Sequence, residues 1–225
     1  MKLLLTSAGI RNTSIRAALL DMLGKPIAES RALCISTSSY ALPNGAELAW
    51  TFVSGNEPRT PMVELGWQSM GLLELTALPS IDRERWISWV RAADVILVNG
   101  GDPLYLCHWM RESGFGDLVP SLPDTIVYVG LSAGSLVMTP ELGEGLAGWW
   151  TPPAGDVAML GLVDFSIFPH LDNPDLPDNQ MADAERWAAG ISVPSYAIDD
   201  ETAIRWTDDG PLVISEGHWR QFPPS

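Results

Sequence analysis

Short apolar runs alternate with amphipathic segments from residue 2 to Ser132. The central runs are continuously apolar, which is typical of strands that are covered on both faces. The segments between them place apolar residues at helical spacing and open with capping residues, which indicates helices. The pattern predicts strands at 2–7, 32–37, 71–78, 94–101, 125–130, 165–170, 196–200, 203–206 and 212–222. It predicts helices at 13–24, 80–93, 102–114 and 179–191, another directly after Ser132, and one or two short helices within 38–70.

This alternation predicts an α/β fold, a three-layer αβα sandwich around a mostly parallel central sheet. The chain has 225 residues, so we expect a single domain over residues 1–225 with a substantial core. In open sheets of this class, ligands bind outside the carboxyl ends of the strands. Three features fall at such ends: the run Gly100-Gly101-Asp102, Ser132, and the pair Pro169-His170.

The run Gly130-Leu131-Ser132-Ala133-Gly134 stands where a predicted strand meets a predicted helix. A G-x-S-x-G motif in this place is a nucleophile elbow, in which a tight turn displays the serine. The N-terminus of the following helix offers unpaired N–H groups to a developing oxyanion. A glycine-rich turn with serine as a helix cap is the alternative, but the position between strand and helix favours a nucleophile.

A serine nucleophile needs a base, and the chain has only three histidines. His170 ends a predicted strand at the same sheet edge as Ser132, so we expect it to be the base. His108 lies among apolar residues of a predicted helix, which is typical of packing. His218, near the end of the sequence, is the less favoured candidate.

The glycine pair at the end of strand 94–101 supplies a candidate oxyanion hole. That strand directly precedes the Ser132 strand along the chain, so its terminal N–H groups can face the serine across the sheet edge. The N–H groups of Gly101 and Ala133 are the natural pair. A plain tight turn is the alternative for the glycines.

Composition narrows the choice of partners. The chain has 28 acidic and 13 basic residues and a net charge of −15, which repels phosphates, so we expect no nucleic acid partner. The N-terminal apolar run is too short for a signal sequence, and no run reaches about 18 apolar residues, so we expect no membrane partner and a cytoplasmic location. The two cysteines, Cys34 and Cys107, are expected to be buried thiols. No histidines and cysteines have metal-ligand spacing, so neither a metal nor a cofactor is expected.

Four segments together resemble peptidase family S51, the serine peptidases that include dipeptidase E and cyanophycinase. The segments are VNGGDPLYL (98–106), GLSAGS (130–135), FSIFPHLD (165–172) and AIDDETAI (197–204). Their order and spacing agree with the family over roughly residues 94–204. No single motif is specific, but the combination is.

The resemblance implies a fold similar to the class I glutamine amidotransferases, with serine at the elbow position. It implies hydrolysis of small peptides, often with an N-terminal aspartate, or of β-aspartyl-arginine linkages. It carries over Ser132 as nucleophile, His170 as base, and Gly101 with Ala133 as oxyanion donors.

The carboxylate that would orient His170 stays open among three residues. Dipeptidase E has its triad aspartate in the loop after the elbow, which corresponds to AGWWTPP (147–153) here and contains no acid. Asp156 is the nearest later carboxylate. A cyanophycinase-like pattern has a glutamate where this chain has Asp200. We favour Asp200, because its strand end should lie beside His170, and Glu201 is a close rival.

Two further residues are candidates for substrate binding. Asp102 stands where these families commonly have asparagine. A carboxylate beside an oxyanion hole works against acyl chemistry unless it points away or binds a substrate amine, such as the N-terminal ammonium of a peptide. Arg186, on the helix after His170, would suit an acidic side chain of a substrate, with a solvated surface charge as the alternative.

The preferred function is therefore a serine peptidase that cleaves small peptides through an acyl-enzyme on Ser132. One alternative is an α/β-hydrolase-type esterase that uses Ser132, Asp200 and His218, whose chain order fits that class, although no HGGG-type motif is present. The other alternative is a catalytically inactive amidotransferase-like protein that binds a small ligand or a partner.

Overall fold

The protein contains a seven-stranded central sheet and a separate three-stranded sheet, seen in a computed structural model that describes residues 1–56, 60–153, 155 and 157–225. The strands are β1 (Lys2–Thr6), β2 (Arg31–Ile35), β3 (Ser69–Leu72), β4 (Val95–Val98), β5 (Val127–Leu131), β6 (Ser166–Phe168), β7 (Ser195–Ile198), β8 (Thr202–Thr207), β9 (Gly210–Ser215) and β10 (Trp219–Phe222). The α-helices are α1 (Thr13–Leu23), α2 (Gly45–Val53), α3 (Arg83–Ala92), α4 (Pro103–Glu112), α5 (Phe115–Leu118), α6 (Ala133–Leu136) and α7 (Met181–Ala188). Short 3₁₀ helices occupy Ile27–Glu29, Thr37–Ala41, Val63–Leu65, Leu75–Ser80 and Val119–Ser121.

The central sheet has the strand order β3-β2-β4-β5-β1-β8-β9. The first five strands in this order are parallel, and β8 and β9 are antiparallel to their neighbours. The chain therefore leaves β1, β4 and β5 at the same edge at which it enters β8. Residues that follow β1, β4 and β5 therefore converge with residues that precede β8. The mostly parallel sheet that the sequence predicts is confirmed.

Both faces of the central sheet are covered. On β1, Leu3 and Leu5 pack in a cluster with residues of α3 and α4, whereas Leu4 packs on the other side with residues of α1. All three leucines are fully buried. This alternation produces the three-layer αβα sandwich that the continuously apolar strands predict.

The three-stranded sheet has the order β10-β7-β6, with β6 and β7 parallel. Its apolar side chains form a small cluster of their own with α7, in which Phe168 contacts Trp187 at 5.5 Å between ring centroids. The register pairs Phe168 with Ala197. The chain therefore leaves β6 and β7 side by side.

Two predicted strands are wrong in extent. The predicted strand 71–78 ends at Leu72, because the Glu74 carboxylate accepts hydrogen bonds from Thr76 N and Oγ1 and starts a 3₁₀ helix. The predicted strand 212–222 is two strands in different sheets. A turn at residues 216–218 leads the chain from β9 to β10, and His218 N donates to Asp199 Oδ2 within it.

The two cysteines are free and buried, as predicted. Burial raises the pKa of the Cys34 thiol to about 11. In the described residues, no helix combines the length and apolarity that crossing a membrane requires.

We predict that Leu4→Ala lowers the free energy of unfolding by about 2–5 kcal/mol, because it leaves a cavity in the middle of the sandwich. Urea denaturation followed by circular dichroism measures this loss. Leu212→Ala is the matched control, since Leu212 is 49% exposed on β9 and its truncation should change stability by about 0.5 kcal/mol or less. Equal losses in the two variants would contradict the assignment of the core.

Candidate active site

Three side chains form one line of hydrogen bonds at the convergence of the two sheets. Ser132 Oγ lies 2.9 Å from His170 Nε2, and His170 Nδ1 lies 2.7 Å from Asp200 Oδ1. Ser132 comes from the central sheet, whereas His170 and Asp200 follow strands of the small sheet. The structure thus brings together the serine, the histidine and one of the carboxylates that the sequence singles out.

Ser132 stands in a strained turn between β5 and α6, with φ 47° and ψ −111°. Its N–H donates to Thr6 O at 3.0 Å, which ties the turn to the end of β1. A Cβ at Gly134 would lie 2.4 Å from Val98 O, and a Cβ at Gly130 would lie 2.5 Å from Gly134 O. Both positions of the motif therefore require glycine for close backbone approach, which the elbow interpretation predicts.

The small sheet explains why His170 meets Asp200. His170 lies two residues beyond the end of β6, and Asp200 lies two residues beyond the end of β7. The register pairs Phe168 with Ala197, so His170 and Asp200 follow paired positions by two and three residues and leave neighbouring parallel strands at the same edge. His170 itself has φ 57°, a left-handed conformation that is uncommon outside glycine.

Asp200 is held by three side-chain hydrogen bonds. Its Oδ1 accepts hydrogen bonds from His170 Nδ1 and from Ser7 Oγ (3.1 Å), and its Oδ2 accepts one from Asn173 Nδ2 (2.7 Å). Burial raises the pKa of the Asp200 carboxyl, but the hydrogen bonds and the charge of a protonated His170 outweigh burial, so this pKa lies below its ordinary value.

An ionised Asp200 fixes the tautomer of the imidazole. A carboxylate only accepts hydrogen bonds, so Nδ1 of His170 carries a proton. Nε2 of the neutral ring is then an acceptor, and it faces the hydroxyl of Ser132. This is the proton arrangement that a general base needs before it activates a serine.

The two candidate oxyanion donors lie beside the serine and have no acceptor. A Cβ at Gly100 would lie 3.3 Å from Ser132 Cβ, so the end of β4 directly borders the nucleophile. Within the described residues, the N–H groups of Gly101 and Ala133 donate to no protein acceptor. Ser38 Oγ donates to Gly100 O at 2.7 Å, which fixes this strand end in place.

Of the other two carboxylates considered for the triad, the one that the structure describes does not contact His170. Glu201 turns away from it and accepts hydrogen bonds from Arg11 Nε at 3.0 Å and from Asn12 Nδ2 at 3.1 Å. Asp156 lies outside the described residues. Of the described candidates, Asp200 alone has the geometry for orienting the histidine.

The other two histidines are engaged elsewhere. His218 Nε2 lies 2.6 Å from Asp172 Oδ2, and its Nδ1 lies 3.1 Å from Asp199 Oδ2. His108 packs against Trp150 at 4.9 Å between ring centroids. The esterase alternative, which pairs Asp200 with His218, is therefore wrong on geometry, because Asp200 pairs with His170 instead.

The two candidate substrate-binding residues have structural partners instead. Asp102 is fully buried, and its two oxygens accept hydrogen bonds from Tyr105 N (2.9 Å) and Trp150 N (2.7 Å). It caps α4 and holds the loop after the elbow, so it points away from the oxyanion donors and has no room for a substrate amine. Arg186 is exposed on α7, pairs with Asp183, and does not line the cleft described below.

Two residues beside the site carried no signal in the sequence. Ser7 and Asn173 both donate hydrogen bonds to Asp200, yet neither belongs to a motif. The position of Ser7 directly after β1, at the carboxyl edge of a parallel sheet, is the only pointer that the sequence offers.

An open cleft of about 570 Å³ lies over Ser132 and His170. Its walls come from the ends of β4 and β5, from α2, and from the turn after His170. Its lining includes polar and charged residues, among them Arg11, Asn99, Asn173 and Asp175. It also includes the apolar side chains of Leu42, Leu48, Phe52 and Leu176. In the described portion of the chain, histidine, cysteine, aspartate and glutamate form no group that could hold a metal ion.

Comparison with known proteins agrees with this architecture. The solved structure of a protein from Listeria monocytogenes EGD-e, assigned as a peptidase E, matches with a TM-score of 0.63 at 18% identity, over 96% of this chain and 98% of that one. The structure of a peptidase from an acI-B1 Actinobacterium matches with a TM-score of 0.68 at 16% identity, over 99% of this chain and 94% of that one. At these identities the two structures show a shared fold. No curated protein matches the chain significantly.

The family assignment rests on a match along the sequence. The model of peptidase family S51 matches residues 3–214, which include both sheets except for β10, the first residue of β1 and the last residue of β9. The chain therefore belongs to peptidase family S51.

Proposed function

We propose that this protein is a serine peptidase that hydrolyses short peptides through an acyl-enzyme on Ser132. The observation that carries the proposal is the continuous line of hydrogen bonds from Ser132 Oγ through both ring nitrogens of His170 to Asp200. The line ends at an open cleft and lies beside two unpaired backbone donors. Nucleophile, base, orienting acid and oxyanion donors are the four parts that acyl transfer requires.

Acylation begins when Ser132 Oγ attacks the carbonyl carbon of the scissile peptide bond. His170 Nε2 takes the hydroxyl proton as the Oγ–C bond forms, and Asp200 stabilises the resulting imidazolium. The carbonyl oxygen becomes an oxyanion and accepts hydrogen bonds from the N–H groups of Gly101 and Ala133. His170 then gives its proton to the nitrogen of the leaving amine, the C–N bond breaks, and the acyl group stays on Ser132.

Deacylation repeats these steps with water. His170 Nε2 takes a proton from a water molecule, whose oxygen attacks the acyl carbon, and the same two N–H groups hold the second oxyanion. The proton then passes to Ser132 Oγ as the ester bond breaks, which releases the acid product and restores the enzyme. Each oxyanion donor contributes a factor of about 10²–10³ to the rate in comparable sites.

The cleft supports a small substrate. A volume of about 570 Å³ holds a few residues, and the cleft is open rather than a long groove. Acidic peptides such as Asp-X or β-aspartyl peptides fit the family resemblance. In the described lining, however, Arg11 already pairs with Glu201, whereas Leu48 and Leu176 present exposed apolar surface. We therefore propose that peptides with an apolar side chain compete with acidic ones at this site.

Labelling with a fluorophosphonate probe tests whether the serine is activated. We expect the wild-type protein to form a covalent adduct at Ser132 and Ser132→Ala to form none, because attack needs the hydroxyl and its base. His170→Ala should slow labelling by about 10³-fold or more, since the base is removed.

His218→Ala is the matched histidine control and should label at the wild-type rate. An unlabelled wild-type protein, beside a serine hydrolase that labels in parallel, would instead support the inactive ligand-binding alternative.

Asp200→Asn tests the role of Asp200 in orienting His170. The amide keeps the shape of the side chain, but its nitrogen donates hydrogen bonds where the carboxylate oxygen accepts them. We expect kcat to fall by about 10⁴-fold, because an amide stabilises the wrong tautomer of His170 and no imidazolium. Glu201→Gln, one residue along the chain, should lose less than about tenfold. Kinetics on one peptide substrate compare the two variants, and a larger loss in Glu201→Gln would exchange the two assignments.

Substrate choice is tested with a dipeptide library that includes Asp-X, β-Asp-Arg, Leu-X and Phe-X members. We expect kcat/KM to differ by about 10- to 100-fold between apolar side chains and alanine at the preferred position, as for other apolar pockets. Leu48→Ser should reduce this ratio and leave alanine peptides unaffected. Exclusive turnover of acidic peptides would contradict the apolar preference, and no turnover of any member would contradict the peptidase proposal.

A further inference from the structure

Ser7 is a buried serine at the junction of the two sheets. It directly follows β1, the strand between β5 and β8 in the central sheet, and it is fully buried. Its hydroxyl faces His170 and Asp200, which both follow strands of the small sheet. Ser7 does not line the cleft, so it has no direct access to a substrate there.

One hydroxyl serves the histidine and the carboxylate together. His170 N donates to Ser7 Oγ at 2.7 Å, and Ser7 Oγ donates to Asp200 Oδ1 at 3.1 Å. Ser7 Oγ also lies 3.3 Å from His170 Nδ1. Asp200 is ionised, and His170 Nδ1 donates its proton to Asp200 at 2.7 Å. The single proton of the Ser7 hydroxyl is therefore donated to Asp200 and not to Nδ1.

The backbone of His170 needs this support. A non-glycine residue with φ 57° is strained, because its Cβ lies close to the following carbonyl oxygen. The N–H group of His170 donates to Ser7 Oγ. The same oxygen atom therefore holds the strained backbone of His170 and also Asp200, the hydrogen-bond partner of the imidazole. Movement of that atom would change both the position of the imidazole and its bond to Asp200.

From this geometry we infer that Ser7 is a positioning residue of the active site, which holds His170 and Asp200 in alignment with Ser132. The inference rests on the proposed function, since it assigns a role within the same hydrogen-bonded line. Ser7 acts through His170 and Asp200 and not on the substrate.

Removal of the Ser7 hydroxyl should shift the pH profile of activity in a predictable direction. Without that donor, the charge on Asp200 Oδ1 is less neutralised, so the carboxylate stabilises the imidazolium form of His170 more strongly. More of the base is then protonated at a given pH, and the acidic limb of the activity profile moves to higher pH. The other charged groups near the ring are Arg11 and Asp175 in the cleft and Asp172, which pairs with His218, and none of these changes.

The test compares Ser7→Ala with two other variants in the full-length protein. Ser36→Ala is the matched control, because Ser36 directly follows β2, is 1% exposed, and has a hydroxyl with no hydrogen-bond partner among the residues that the structure describes. Ser7→Thr keeps a hydroxyl at the position. Urea denaturation of each variant checks that it is folded before kinetics are compared.

We expect Ser7→Ala to lower kcat by about 10- to 100-fold with little change in KM, as a small misplacement of catalytic groups does. The acidic limb of its kcat/KM profile should move upward by about 0.3 pH units or more. Ser7→Thr should restore part of the lost kcat, and Ser36→Ala should match the wild type in both measurements. The pH dependence of fluorophosphonate labelling gives the same comparison without a peptide substrate.

Superimposable pH profiles of Ser7→Ala and wild type would overturn the inference, as would a loss confined to KM or a loss equal to that of Ser36→Ala. These results differ from failure of the proposed function. If the wild type cleaves peptides and Ser132→Ala does not, the proposed function stands and Ser7 is judged by its own variants. If the wild type neither cleaves peptides nor labels, both fail together.

Discussion

The site depends on the meeting of two sheets at their carboxyl-end edges. The central sheet supplies Ser132, and the small sheet supplies His170 and Asp200, which follow two paired parallel strands. At the proposed catalytic line, two sets of side-chain hydrogen bonds join the sheets. They are the 2.9 Å contact between Ser132 and His170, and the contacts of Ser7 with His170 and Asp200. The relative placement of the two sheets is therefore the constraint that aligns Ser132 with His170, the proposed nucleophile and base, since neither sheet supplies both.

Strained backbone marks this junction. Ser132, His170 and Asp172 all have left-handed φ values, of 47°, 57° and 54°. Each of their N–H groups is satisfied: Ser132 N by Thr6 O, His170 N by Ser7 Oγ, and Asp172 N by Asn179 O. Strain of this kind persists only where surrounding contacts determine the conformation, and it concentrates at functional sites. Two consecutive residues at the end of β1 thus stabilise the backbone of both the serine and the histidine.

The sequence was informative where chemistry and local pattern coincide. The G-x-S-x-G turn, the apolar strands and the strand-end position of His170 predict the sandwich and the pairing of Ser132 with His170. Asp200 also stands at the end of a predicted strand, so the sequence favours this acid over Glu201. The sequence did not indicate the structural role of Asp102, because its partner Trp150 N lies 48 residues away and no local pattern predicts that contact. Ser7 and Asn173 were missed for the same reason: a hydroxyl or an amide becomes informative only when tertiary structure shows what it faces.

The central position of β1 also determines when this molecule can become active during folding. Ser7 contacts Asp200 across 193 residues of sequence, and Ser135 Oγ bonds Thr6 O across 129. Contacts of such separation form late and slow the folding of a chain, because distant segments must close before any pairing is gained. Strands β2 to β5 contain Ser132 at their edge but neither His170 nor Asp200, which follow β6 and β7. The proposed catalytic line is therefore assembled only when the first and the last strands of the chain have joined the fold.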